Sequence, residues 1–265
     1  MIWIKTQYVF RYFLAVLSIF FSACSSDNKS PELASYDNTQ AIHVGLFSKS
    51  QKGLLMPEGW QELSLPGVEQ HSEYSLVTVS NKRVIKAVSQ NAASGIIKKV
   101  NIDPKQFPIL KWCWKIENIL KTADIKSKAG DDYSARIFVT FDYDIEKLSS
   151  NERFKAKMYS LLHGELPPLA TINYIWDNRA ALNSIQSSAY TDRVKMIVIQ
   201  SGADNLKQWL TEKRNIYEDF KLAFGEEPPH VSSIAIMTDT DNTGEKATAY
   251  FGDITFYPQN STPNQ

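Results

Sequence analysis

The chain has 265 residues, 29 basic and 29 acidic side chains, and a formal net charge of zero. A nucleic-acid-binding protein would carry a basic excess to meet phosphate charge, and a disordered acidic protein would carry the opposite excess, so neither class fits. With 43% hydrophobic and 12% aromatic residues, the chain can bury a sizeable core. Its length suits one large domain or two small ones.

Residues 1–23 have the three-part pattern of a bacterial secretory signal. Lys5 and Arg11 supply the positive end, an apolar run covers 12–21, and small residues precede Cys24. A cysteine after small residues resembles a lipoprotein box, so we expect Cys24 to be lipidated. Two alternatives stay open, namely a cleaved signal without lipid and a permanent membrane anchor. The apolar run is about half of the roughly 20 residues that a spanning helix needs.

The residues after Cys24 bear on location. Ser25 and Ser26 stand where lipoproteins retained in the inner membrane usually carry aspartate. We therefore expect a lipid-anchored protein of the cell envelope, on the outer membrane and facing the periplasm. The segment up to residue 41 is rich in Ser, Asp, Asn, Pro and Lys, which is typical of a flexible tether.

Nine segments of the mature chain have the β-branched, aromatic and alternating character of strands, with turn residues between them. They are 74–79, 83–89, 95–100, 109–117, 134–142, 171–176, 192–200, 231–238 and 247–257. Alternation is clear in 134–142, in which Ile137 and Val139 share one face and Arg136 and Phe138 share the other.

Two helices interrupt the predicted strands. A long helix is predicted over 204–224, where apolar residues recur at three- and four-residue steps before Gly225. A short helix is predicted around 148–162. Without a strand–helix–strand rhythm, the pattern predicts an all-β fold, an antiparallel jelly-roll-like sandwich with one long and one short helix packed against it. The predicted parts are a lipoprotein signal, a tether, a single β-sandwich domain and a disordered tail, over 1–23, 24–41, 42–258 and 259–265.

The standard catalytic motifs G-x-S-x-G, H-E-x-x-H, C-x-x-C, the P-loop and G-x-G-x-x-G are absent from the sequence. The four histidines are scattered without metal-ligand spacing. A candidate site must therefore come from clusters of other polar side chains.

The first cluster opens the strand at 134–142. Asp131 and Asp132 follow Gly130 in a turn, and Arg136 projects from the strand that follows. Adjacent carboxylates in such a turn can ligate a cation or accept hydrogen bonds from sugar hydroxyls. The alternative is a polar turn with an Arg–Asp ion pair.

The second cluster covers 238–245, where oxygen-bearing side chains precede Gly244. It resembles a calcium loop, and Asp239, Asp241 and Asn242 are the predicted ligands of a structural calcium ion. As an EF-hand it fails, because the twelfth position is not Glu and a strand follows. The alternative is a hairpin turn whose side chains bond their own backbone.

The third cluster gathers amide, aromatic and charged residues that suit sugar recognition: Asn173, Trp176, Tyr190, Asp192 and Arg193. The alternative for Trp176 is the core, because strand tryptophans usually fill sheet interiors. The same alternative is favoured for Trp112 and Trp114. Cys113, between them, is predicted to be a buried and inert thiol.

Several stretches, in this order, resemble an uncharacterised bacterial envelope family catalogued as domain of unknown function 3047. They are LKWCWKIEN, KAGDDYSARIFVTFD, INYIWDN, YTDRVKMIVIQSG and RNIYEDFKLAFGEEPP followed by IAIMTDTDNTGEKATAYFGDI. The resemblance covers roughly residues 59–257. It implies an envelope protein with a β-sandwich like those of carbohydrate-binding modules, and no established activity.

Together these observations predict a non-catalytic lipoprotein that binds an envelope glycan or a similar polyhydroxylated ligand. The predicted ligand-binding residues are Asp131, Asp132, Arg136, Asn173, Trp176, Tyr190, Asp192 and Arg193. One alternative is a glycan-active hydrolase or lyase, for which two carboxylates should face a common cleft about 5–9.5 Å apart. The other is a structural or partner-binding envelope protein, which an exposed apolar patch would favour.

Overall fold

The computed structural model describes residues 41–51, 56–164 and 166–259. The predicted signal, the tether apart from residue 41, Cys24, and the predicted tail apart from residue 259 lie outside these residues.

Two sheets face each other, and their strands are numbered in chain order. The six-stranded sheet contains β1 (Ile42–Gly45), β3 (Glu73–Val79), β4 (Lys82–Gln90), β6 (Ile109–Ile116), β11 (Leu210–Asn215) and β13 (Lys246–Tyr257). The seven-stranded sheet contains β2 (Gln61–Leu63), β5 (Ala93–Ile102), β7 (Arg136–Phe141), β8 (Thr171–Asp177), β9 (Ile185–Ser187), β10 (Val194–Ser201) and β12 (Val231–Asp239).

The strand order is β11-β6-β13-β4-β3 in the first sheet, with β1 also paired to β13. In the second sheet it is β2-β5-β12-β7-β8-β10-β9. The neighbours pair antiparallel, except that β8 and β10 run parallel. The predicted all-β, jelly-roll-like sandwich is confirmed, and all nine predicted strands are present.

Aromatic side chains fill the space between the sheets. Trp112 on β6 stacks on Tyr174 of β8 with ring centroids 5.2 Å apart, and Trp114 meets Trp176 at 5.9 Å. All four rings are buried. Burial of such large apolar surfaces between the sheets is the main source of sandwich stability. The alternative of a core role is therefore the correct one for all three tryptophans.

Helix α1 (Ser150–His163) lies between β7 and β8 and agrees with the helix predicted around 148–162. Its start is fixed by a capping box, in which Ser149 and Glu152 each accept a hydrogen bond from the other's backbone. Gly164, with φ of 82°, ends it in the left-handed conformation.

Helix α2 (Ile216–Phe224) is the second half of the helix predicted over 204–224, so the predicted length is wrong. Residues 210–215 form the edge strand β11 instead, paired with β6. Two local features divide the segment. Lys207 has a φ of 62°, which a helix does not tolerate, and the Asn215 side chain caps α2 by accepting hydrogen bonds from two backbone amides. Among the described residues, neither helix has the length and apolar character to span a bilayer.

Strand alternation gives the seven-stranded sheet an outer face, directed away from the core. On its two central strands, β7 and β12, the outward side chains are Arg136, Phe138, Thr140, Ser233, Ala235, Met237 and Asp239. The candidate site lies on this face.

Candidate functional site

The first two polar clusters meet at one end of the seven-stranded sheet. Strand β7 begins at Arg136 and β12 ends at Asp239, and the strands are antiparallel with Arg136 opposite Met237. Arg136 and Asp239 are therefore diagonal neighbours on the outer face. Arg136 Nη2 contacts Asp239 Oδ2 directly, and Nη1 lies 4.0 Å from Asp131 Oδ2. The predicted Arg–Asp pair within the turn is present at 4.0 Å, and the closer contact joins Arg136 to Asp239 in a distant segment.

The turn before β7 adds two further carboxylates. Asp132 is fully buried and accepts hydrogen bonds from the backbone amides of Asn242 at 3.3 Å and Thr243 at 2.6 Å. The Tyr133 hydroxyl donates to Asp131 Oδ1 at 3.2 Å. Asp132 thus holds the β12–β13 loop against the start of β7.

Asp131, Asp132, Asp239 and Asp241 form what we call the acidic cluster. One oxygen from each of Asp132, Asp239 and Asp241 lies within 4.8 Å of the other two. Two of the three predicted metal ligands are therefore close enough to share an ion. The third, Asn242, is replaced by Asp132, since Asn242 contributes its backbone amide to Asp132 and its side-chain oxygen lies 3.4 Å from the Tyr190 hydroxyl.

Burial dominates the electrostatics of the acidic cluster. It raises the pKa of Asp239 well above its usual range, although the Arg136 guanidinium opposes the shift. Burial likewise raises the pKa of Asp131 against the effect of Arg136. The pKa of Asp241 is raised by burial and by the Asp132 carboxylate beside it. Four carboxylates face one buried guanidinium, so the ionised cluster has three negative charges in excess.

An open groove of about 440 Å³ runs along the outer face from α1 toward the acidic cluster. The apolar side chains of Phe138, Ala235 and Met237 lie along its floor, with hydroxyl groups beside them, and segments 63–66 and 166–169 line its sides. We call this feature the outer-face groove. The Phe138 ring connects it to the cluster, because the Arg136 guanidinium lies 5.3 Å from the ring centroid.

The third predicted cluster is not a single site. Trp176 is 2% exposed, points into the core and donates from Nε1 to the Gly202 carbonyl at 3.1 Å, so it cannot stack on an external ligand. Asn173 does lie on the outer side of β8, but it is fully buried and its Nδ2 contacts Met196 Sδ. Both assignments to a ligand surface are wrong, because burial leaves neither side chain accessible.

Arg193 and Asp192 lie at the other end of the sheet from Arg136. The Arg193 carbonyl accepts from the backbone amide of Thr171, where β8 begins, and its guanidinium lies 4.4 Å from the Tyr143 ring centroid. Asp192 is exposed. The structure therefore separates these two residues from Asp131 and Asp132.

Tyr190 does approach the acidic cluster. Its hydroxyl lies 3.4 Å from the Asn242 side-chain oxygen and 3.4 Å from the Lys128 carbonyl. The Lys128 ammonium lies 5.0 Å from its ring centroid. Of the eight predicted ligand-binding residues, the structure brings together Asp131, Asp132, Arg136 and Tyr190.

Sequence reasoning missed the groove floor. Met237 and Ala235 belong to a predicted strand but carry no chemical signature of their own. Phe138 shares its predicted strand face with Arg136, which is the signal that points to the groove. The missing information is the pairing of β7 with β12, which joins strands almost one hundred residues apart.

Two carboxylates of the acidic cluster already have partners in the described part of the chain. Asp239 is engaged by Arg136, and Asp132 by two backbone amides. One oxygen from each of the three clustered aspartates lies within 4.8 Å of the other two, whereas the paired carboxylates of glycosidases are about 5–9.5 Å apart.

The model of a protein family of unknown function, DUF3047, matches residues 58–255. The chain belongs to the DUF3047 family. No curated protein sequence matches this DUF3047 member.

Among solved structures, the family 11 carbohydrate-binding module of the cellulase Lic26A-Cel5E of Clostridium thermocellum is similar, with 10% identity and a TM-score of 0.40. That match covers 85% of this chain and 99% of the module. The K2 cleaved adhesin domain of Lys-gingipain has 12% identity and a TM-score of 0.38, covering 82% of this chain and 99% of that domain. The K3 domain from Porphyromonas gingivalis w83 has 7% identity and a TM-score of 0.32, covering 76% and 91%. Likenesses this distant concern the fold alone.

Proposed function

We propose that this DUF3047 protein is a non-catalytic binding protein whose ligand is a glycan or a similar polyhydroxylated molecule held in the outer-face groove. The observation that carries the proposal is the composition of the groove. An aromatic ring and apolar side chains lie on its floor beside hydroxyl groups, and a charged pair lies at one end.

Each of these parts of the groove can contact a different part of a sugar. The half-buried ring of Phe138 offers an apolar face against which the C–H face of a pyranose can pack. Thr140 also lines the groove, and its half-buried hydroxyl, which accepts a hydrogen bond from Thr171 at 3.3 Å, can donate to a ligand. At the end near Phe138, Arg136 and Asp131 supply charged donors and acceptors. A few fixed polar groups beside apolar surface are typical of small-molecule sites.

Binding of envelope glycans by the full chain is the direct test. A glycan-array screen identifies the best ligand, and calorimetry measures its affinity. Phe138→Ala should lower that affinity at least 10-fold, which is about 1.4 kcal/mol. Trp209→Ala is the matched control, because Trp209 is a partly exposed aromatic on the other sheet's side of the molecule. The Trp209→Ala variant should bind the glycan with the affinity of the wild-type chain. Absence of any glycan binding, or equal losses in both variants, would refute the proposal.

The proposed location is the cell envelope, with a lipid on Cys24 holding the domain on the outer membrane. The support is the three-part pattern of residues 1–23 and the serines after the cysteine. In cells fed radiolabelled palmitate, the wild-type chain should incorporate label and fractionate with the outer membrane. The Cys24→Ser variant should remain unlabelled, and label retained in that variant would contradict the anchor.

A further inference from the structure

The acidic cluster has the features of a cation site. Asp239 is 1% exposed and one of its oxygens is paired with Arg136, but its Oδ1 has no hydrogen-bond partner in the described part of the chain. A buried carboxylate oxygen without a partner carries a desolvation cost that a bound cation would offset.

The geometry fits one hard divalent cation. Calcium binds oxygens at about 2.3–2.6 Å, so two of its ligands lie at most about 4.6–5.2 Å apart. Asp132, Asp239 and Asp241 present oxygens within 4.8 Å of one another. Asp132, in the turn before β7, and Asp239, at the end of β12, are buried, whereas Asp241 is partly open to solvent, which leaves an entry route.

The charge of the acidic cluster also favours a bound cation. The ionised cluster holds three more negative than positive charges around Arg136, and Lys128 lies against the Tyr190 ring at its edge. Buried charges of one sign are tolerated in proteins when they are paired or coordinate metals. A divalent cation would remove most of this excess.

We propose that Asp132, Asp239 and Asp241 bind one calcium ion, which fixes the β12–β13 loop to the start of β7 at the end of the outer-face groove. The ion joins segments that are more than one hundred residues apart, so its effect is on stability and loop order. This proposal does not depend on glycan binding, which Phe138→Ala tests separately.

Calcium binding is measured by calorimetry and thermal unfolding on the full chain, purified with chelator and dialysed into metal-free buffer. At calcium about one hundred times the Kd, the wild-type Tm should rise by about 5–10 °C. Magnesium should give a smaller shift, because it requires shorter, near-octahedral coordination. A larger response to magnesium, or a wild-type chain without calcium response, would overturn the proposal.

Asp241→Asn tests the location, since Asp241 is the most accessible of the three ligands. The variant should bind calcium at least 10-fold more weakly, whereas the matched control Asp204→Asn, on an exposed loop, should bind as the wild-type chain does. Equal affinity in Asp241→Asn would overturn the assignment. Should this variant unfold, terbium luminescence on the wild-type chain locates the ion instead. Excitation through nearby Tyr133 and displacement by calcium would support the site, and a terbium signal without either would overturn it.

A separate observation concerns α1. Phe154, Met158, Leu161 and Leu162 follow the spacing of one helix face, yet they are 64%, 41%, 77% and 74% exposed. A helix of a globular domain normally turns such a stripe inward. The described part of α1 also carries Arg153, Lys155 and Lys157. Arg153 pairs with Glu146 just before the helix, and with Glu152 counted as well the excess is one positive charge.

We infer that α1 rests on an anionic phospholipid surface, with the apolar stripe in the headgroup region and the basic side chains beside it. Helices with an exposed apolar face and flanking lysines or arginines bind at such interfaces. The charge complementarity selects anionic lipid as the occupant of this face.

Vesicle flotation tests this inference on the full chain carrying Cys24→Ser, which excludes any contribution from a lipid anchor. This chain should float with phosphatidylcholine vesicles containing 30% phosphatidylglycerol and less with phosphatidylcholine alone. Adding Leu161→Ser and Leu162→Ser should abolish flotation, whereas Leu222→Ser, on an equally exposed leucine of α2, should preserve it. Unchanged flotation in the double variant would refute the inference. Failure of the parent chain to float would also refute it. If that chain instead self-associates in analytical ultracentrifugation, a second copy of the chain covers this face.

Discussion

Replacement of Arg136 by methionine removes the one guanidinium within the acidic cluster while keeping an unbranched side chain against the Tyr133 and Phe138 rings. Arg136 contacts Asp239 and lies 4.0 Å from Asp131. At that distance and an effective dielectric constant of about 20, Coulomb's law gives about 4 kcal/mol of attraction to Asp131 alone. Part of this attraction offsets the desolvation of the guanidinium, so the expected net loss is about 3–5 kcal/mol.

The assay is equilibrium urea unfolding at neutral pH in chelated buffer, where no divalent cation replaces the lost charge. Arg136→Met should lower the free energy of unfolding by the stated amount. Adding Asp239→Asn should restore more than half of it, because the variant then buries one charge fewer. Arg153→Met, at a more exposed ion pair with Glu146, should change stability by less than about 1 kcal/mol.

A loss below about 1 kcal/mol in Arg136→Met would refute the reasoning. Strictly additive losses in the double variant would do the same, since they would show that Arg136 and Asp239 do not interact.

Three further predictions concern the sandwich itself. Gly252→Ala should cost about 1–3 kcal/mol in urea unfolding, because a Cβ at that position would overlap Cys113 Sγ; Cys113→Ala in the same chain should recover most of the loss. Burial raises the pKa of Glu212, so the wild-type chain gains stability below the ordinary glutamate pKa and loses it as pH rises through the folded-state value. Glu212→Gln should therefore gain stability relative to wild type between pH 4 and pH 7. Phe220→Ala should cost about 3–5 kcal/mol because its fully buried ring anchors α2, whereas Leu222→Ala on the exposed side should change stability by less than about 0.5 kcal/mol.

The long strands could be predicted because alternation over six or more residues is a strong signal. Strands β1, β2 and β9 have only three or four residues, too few for any periodicity to be visible. Strand β11 escapes prediction for a different reason. Leu210, its one apolar residue, follows Leu206 and Trp209 at helical spacing toward α2, and only the left-handed Lys207 and the capping Asn215 indicate a break.

The site could be predicted in part, for a physical reason that differs from residue to residue. Asp131, Asp132 and Asp239 stand in turn-like polar stretches whose composition is readable. Their convergence depends on which strands pair, and that pairing is set by the whole fold. Trp176 illustrates a different difficulty. The sequence pattern of an apolar strand face is the same whether that face packs in the core or contacts a ligand.

Strand β13 has a consequence for how this protein is made. It is the last of the described strands, yet it lies inside the six-stranded sheet, bonded to β6 on one side and to β4 and β1 on the other. Until residue 257 has left the ribosome, these earlier strands lack their shared partner, and the aromatic layer between the sheets stays open. The nascent chain therefore cannot complete its sandwich before β13 has emerged.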